Sequence, residues 1–104
     1  MFVRDFVARF GTDLRPGYFA VAAYDALAAI DGALAKTGAD ASGDRLIEAL
    51  KGLRLESPRG PIEIDAATRD IVQTVYIRRA ERVAGQLVNV EFDKFDRVKD
   101  PGRE

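Results

Sequence analysis

The amino-acid sequence predicts an α+β fold in which three helices come first, followed by short strands and a C-terminal hairpin. Apolar residues recur at helical spacing up to Leu53, and from Leu55 onward they alternate with polar ones. Between the last two alternating runs stands Ala84-Gly85, a two-residue turn signal.

The first helix spans Phe2 to Phe10, with Phe2, Phe6, Val7 and Phe10 on one side and charges on the other. It stops at Gly11, and Thr12 to Gly17 form a loop around Pro16. The second and longest runs from about Tyr18 to Lys36. Eight of its first eighteen residues are alanine, the strongest helix former. Tyr24, Leu27, Ile30 or Asp31, and Leu34 give it one face, and Gly38 follows as a C-terminal cap. The third runs from Gly43 to Leu53, with Ser42 or Asp44 capping its start and Leu46, Ile47, Leu50 and Leu53 on one face.

Beyond that point, Leu55, Ile62 and Ile64 flank Ser57-Pro58-Arg59-Gly60-Pro61, which reads as a short extended pair with a turn. Asp65 to Asp70 is a polar connection. Val75 and Ile77, then Val88, Val90 and Phe92, supply the two arms of the hairpin, and the charged tail over 96–104 reads as frayed.

At 104 residues the chain is one domain at most. Its net charge of −1 argues against nucleic acid as a partner, since duplex binding needs a clear excess of Lys and Arg on one face. Without His or Cys, the chain holds no Ser-His-Asp or Cys-His catalytic set, disulfide or iron–sulfur cluster, and nearly every zinc site is ruled out. No cofactor or metal is expected, and no enzyme activity.

The N-terminus is no signal peptide, because Arg4, Asp5 and Arg9 interrupt its apolar run; the chain as given would be cytoplasmic. The most apolar window, Gly17 to Ala35, carries Asp25 and Asp31, which cost too much in lipid. It reads as a helix buried in protein.

Among residues able to carry chemistry, Asp25 and Asp31 point in different directions on their helix, Asp65 and Asp70 flank a turn, and Glu63 and Glu81 face outward. All six read as solvated or capping groups. Arg78, Arg79 and Arg82 form the densest basic cluster and are expected to pair across the hairpin with Glu81, Glu91 and Asp93. Pro58-Arg59-Gly60-Pro61 has a proline where a phosphate loop needs N–H donors, so it is a turn. Tyr18 and Phe19, at the mouth of the long helix, are placed where a ring can face a cleft, although a packing role is the commoner fate of large aromatics.

Five segments in register, taken together, resemble the C-terminal part of substrate-binding proteins of the branched-chain amino acid ABC transporter type. They are FVARFG from Phe6, YFAVAAYDALAAIDGALAKTGA from Tyr18, DRLIEALKGL from Asp44, SPRGPIEIDAATRDIVQTVYI from Ser57 and VAGQLVNV from Val83. The resemblance implies a leucine-binding-like, type I periplasmic binding protein, an α/β two-lobed clamp with solute held between the lobes. It places residues 1–65 in the first lobe and the hairpin over 66–95 in the second, and it makes Phe19, with Tyr18 as its neighbour, the cleft-lining position. It implies a small-molecule solute and a membrane permease as partners and a periplasmic location. The polar groups that hold the solute's ends would lie outside these residues, so the chain is not expected to be ligand-competent alone.

The alanine face of the long helix is of the kind that rests on a sheet. Leaving roughly 500 Å² of it bare costs on the order of 12 kcal/mol, more than a small domain's net stability. The expectation is therefore a homodimer or higher oligomer, by isologous packing or by exchange of the hairpin. An orphan oligomerising interaction module with no transported ligand is the alternative function.

Overall fold

The computed structural model describes residues 1–102. Three helices, α1 (Phe2–Phe10), α2 (Tyr18–Thr37) and α3 (Gly43–Leu50), precede four strands, β1 (Arg54–Ser57), β2 (Gly60–Ile64), β3 (Ile71–Val83) and β4 (Gln86–Val98). The α+β order is the expected one.

The helix ends follow local chemistry. Gly11 takes φ 83° after α1, and Gly38 closes α2 in the left-handed region with its N–H on the Leu34 carbonyl. At α3 the expected range is too long. Lys51 leaves the helix, and Gly52 turns at φ 71° so that its N–H reaches the Ile64 carbonyl on β2. Leu53 therefore enters the core from a loop, not from a helical face, and it is buried beside Gly32 on α2, where an added Cβ would just touch its two methyls at 3.6 Å. Ser42 is the N-cap residue of α3 without a side-chain bond of its own; Asp40 Oδ1 accepts the Ser42 N–H at 2.9 Å.

Both hairpins expected from the sequence form, and they join into one antiparallel sheet in the order β1-β2-β3-β4. The link between them is the pairing of Ile62 to Ile64 with Gln73 to Ile71. Ala84 and Gly85 turn at φ 50° and 79°, as a type I′ turn requires. Extra residues on β4 make irregularities opposite Gln73–Val75 and Ile77–Arg78, and Arg97 takes φ 54° at the first of them.

The buried apolar residues are few and small: Ala29, Ala33, Leu53, Ile62 and Val72. Among the described residues no large side chain is fully buried. The radius of gyration is 16.3 Å, against about 13 Å for a compact chain of this length. The expectation that α2 is buried in protein does not hold within this chain. By length and composition α2 could cross a membrane, yet only 11% of its apolar window is covered, and Leu27 and Ile30 stand open. The core is thin because the long hairpin extends away from the helices instead of lying beneath them.

The tail over 96–104 is ordered further than expected. Asp96 to Val98 belong to β4, and Lys99 Nζ lies 2.8 Å from Asp65 Oδ2; residues 103 and 104 lie outside the described residues. Asp65 is buried at the β2–β3 connection, where its Oδ1 accepts the N–H groups of Ala67 (2.8 Å) and Thr68 (3.1 Å). The Lys99 bond first, then these two backbone donors, hold its carboxyl at about 2, below the ordinary 3.8. A depressed carboxylate stabilises the fold above its unfolded pKa and loses that contribution as pH falls through its folded one. Replacing Asp65 with Asn is expected to flatten the acid limb of the stability curve between about pH 4 and pH 2, measured by denaturant melts. An acid limb of unchanged slope contradicts the assignment.

Candidate functional site

The sequence leaves one carboxylate in an awkward place: Asp25 sits among alanines near the middle of an apolar helix. In the fold it is buried, contrary to the solvated role expected for it, while Asp31 is exposed. A buried carboxylate needs a cation and full hydrogen bonding. The turn between β1 and β2 supplies the cation and two hydrogen bonds, both to one carboxylate oxygen. Ser57 Oγ donates to Asp25 Oδ2 at 2.8 Å, and Arg59 Nε donates to the same oxygen at 3.2 Å. The Arg59 backbone N–H in turn donates to Ser57 Oγ at 3.3 Å, and Arg59 Nη1 donates to Gln73 Oε1 on β3 at 2.7 Å.

This network fixes Arg59 at the floor of a cleft. The Tyr18 ring stands over its guanidinium, 5.9 Å from Cζ to ring centroid. On the opposite wall, Arg78 of β3 lies over the Tyr76 ring at 5.6 Å. Tyr76 is pressed against the β1–β2 turn: a Cβ built on Gly60, whose φ is 107°, would come 2.5 Å from Tyr76 Oη. Only glycine fits there without displacing the ring.

The cleft encloses about 750 Å³ between the start of α2 and the face of β3, with Val3, Val21 and Val75 as its apolar parts. A smaller hollow of about 390 Å³ adjoins it, sharing Tyr18, Arg59, Gln73 and Val75. A third, of about 490 Å³, lies on the sheet near Arg54, Glu63 and Arg97. Its two arginines are both spent on one carboxylate, with Glu63 Oε2 3.2 Å from Arg54 and 3.4 Å from Arg97.

Of the two aromatic residues singled out from sequence, Tyr18 lines both adjoining hollows. Phe19 stands edge-on to it, ring centroids 5.7 Å apart, is 86% exposed and lines neither. The arginine cluster is arranged differently from the expected cross-hairpin pairing. Arg79 pairs with Glu81 on its own strand at 2.6 Å, and Arg82 Nη1 donates to the Gly85 carbonyl. Among the described residues no ion pair joins Arg78, Arg79 or Arg82 to Glu91 or Asp93, although Glu91 stands opposite Arg78 in the register; Arg78 lies over the Tyr76 ring and Arg79 over the Phe92 ring instead. The turn sequence alone does not mark Arg59 as a site residue; the signal for it is Asp25, since a carboxylate inside an alanine helix demands a cation from elsewhere.

Removing that carboxylate strands a part-buried guanidinium. Asp25→Ala is expected to cost about 3 kcal/mol by denaturant unfolding, and Ser57→Ala about 1 kcal/mol. Equal, small losses for both would show that Asp25 is not the anchor.

The sequence and fold have relatives. The model of the periplasmic binding protein family matches residues 1–86. Leu/Ile/Val-binding protein homolog 6 of Brucella abortus is 32% identical over 102 residues, which are 97% of this chain and 26% of that protein. The crystal structure of a solute-binding protein of an ABC transporter from Rhodopseudomonas palustris BisB5, in complex with 3,4-dihydroxybenzoic acid, is 55% identical with a TM-score of 0.94, covering 99% of this chain and 28% of that one. A solute-binding protein from R. palustris HaA2, in complex with p-hydroxybenzoic acid, is 40% identical with a TM-score of 0.74 over 81% of this chain and 23% of its own. The chain spans about a quarter of the length of the curated relatives it matches.

Proposed function

The chain belongs to the periplasmic binding protein family, and from that premise we propose that it supplies part of the solute site of an ABC uptake receptor. The solved neighbours are two-lobed type I periplasmic binding proteins. In this proposal residues 1–65 form part of one lobe and the hairpin over 66–95 belongs to the other. The solute is a branched-chain amino acid or a related small carboxylate or amide. It is captured in the periplasm and passed to a membrane permease, without chemical change.

The observation that carries the proposal is the cleft between the start of α2 and β3, with an aromatic ring on each side and polar groups at its floor. Tyr18 forms one wall, and Phe19 extends it outward, poised to meet solute where the two lobes close. Aromatic acids are favoured within the solute class, since two similar receptors hold hydroxylated benzoic acids. The groups expected to hold the solute's ends lie outside these residues, so the chain alone offers only a partial site; thermal melts with leucine, benzoate-type acids and their amides at millimolar concentration are expected to show a small rise in Tm for the acids, reduced in Tyr18→Ala and Phe19→Ala. No rise with any of them would remove the solute site from this chain.

A second reading rests on a different observation, the open apolar surface. Leu27, Leu87, Phe92 and Phe95 are each more than half exposed, on the helices and on the hairpin alike. A module that oligomerises through these residues, by face-to-face packing or by hairpin exchange, covers them without any transported ligand. Light scattering of the purified chain is expected to give twice the 11.4 kDa chain mass or more; a monomer mass ends the oligomer reading.

A further inference from the structure

The lining of the larger cleft carries two guanidinium groups, Arg59 and Arg78, and among the described residues no carboxylate. Over the whole chain acidic and basic residues are nearly balanced, 17 against 16. A water-filled hollow with one sign of charge and walls of low polarity concentrates the opposite ion. Asp25 pairs with Arg59 from behind and offsets its charge, but it takes only Nε, so Arg59 keeps open donor edges and the uncompensated charge of the cleft is that of Arg78. Gln73 takes Nη1, and Nη2 makes no hydrogen bond among the described residues. Arg78 forms no ion pair among the described residues, although Glu91 faces it in the register. Each guanidinium lies over a tyrosine ring, Arg59 with Tyr18 and Arg78 with Tyr76, so each is steered by a flat apolar surface.

We propose that Arg59 and Arg78 are the carboxylate-recognising pair of this cleft, and that the solute is a planar aromatic monocarboxylate lying between the Tyr18 and Tyr76 walls. The inference rests on the reading of the cleft as a solute site and adds to it the residues that select the anion. Arg59 is the rigid member, since its Nε and Nη1 are already tied; its open Nη2 edge donates to one carboxylate oxygen. Arg78 is the adaptable member and closes on the other. A neutral amide of the same shape gains the stacking but not the two charge-assisted bonds. In this chain the cleft is open on one side, so the affinity expected is millimolar.

The test is a nitrogen-15 NMR titration of the full chain with benzoate and, separately, with benzamide, following the Arg59 and Arg78 Nε–H signals and the amides of Tyr18 and Tyr76. Benzoate is expected to shift all four, and Arg78→Gln to weaken it about tenfold. Arg78 is chosen because its change leaves the Asp25 network intact, which unchanged amide shifts at Asp25 and Ser57 would verify. If benzoate and benzamide shift the tyrosine amides equally, the cleft binds solute but the arginine pair does not select it, and the inference falls alone. If neither ligand shifts them, the solute site falls with it. Undiminished benzoate binding by Arg78→Gln also overturns the assignment.

Discussion

A single buried carboxylate ties this chain together. Asp25 enters the interior on an alanine-rich helix, where its charge could not persist without compensation. The β1–β2 turn brings Ser57 and Arg59 to it, and Arg59 reaches on to Gln73 of β3. One polar cluster thereby joins α2, the short hairpin and the long hairpin, three elements whose apolar contact is otherwise slight. Polar networks of this kind specify an arrangement more than they stabilise it, because any other packing leaves a charge uncovered. The same contact sets the floor of the cleft, so folding specificity and the candidate site share their central residue.

Local signals in the sequence were legible where one residue type decides the backbone. Gly11 and Gly38 ended their helices, and Ala84-Gly85 made the hairpin turn, as their conformational freedom predicts. What could not be read was anything set by distant partners. Ser57 and Arg59 lie 32 and 34 residues from Asp25, and no periodicity in a window of helix length reports such a pairing. The end of α3 was misjudged for a related reason. Leu53 continues the apolar spacing of the helix, yet the demand of Gly52 for the Ile64 carbonyl pulls the backbone into the sheet. Tyr18 could be singled out by its place at a helix mouth, whereas Arg59 and Arg78 looked like ordinary surface cations until the cleft between them was visible.

The thin core follows from the same geometry. Small residues, Ala29 and Ala33, let α2 approach α3 and β1 closely, and among the described residues no large side chain is fully buried. Burial is concentrated near Asp25 and Leu53 and falls away toward the hairpin tip, where Val83 and Leu87 are open. Local opening is therefore expected to begin at the tip and to reach the Asp25 cluster last.

The outer margin of β4 has a bearing on how the molecule avoids growing into fibres. In the order β1-β2-β3-β4 that strand has backbone donors and acceptors with no neighbour on one side, along thirteen residues. Two irregularities break its rhythm, and Asp93, Lys94, Asp96 and Arg97 crowd its second half. A straight ribbon would template the next one; this one is kinked twice and bristles with charge, so endless strand-on-strand stacking is frustrated at the outset.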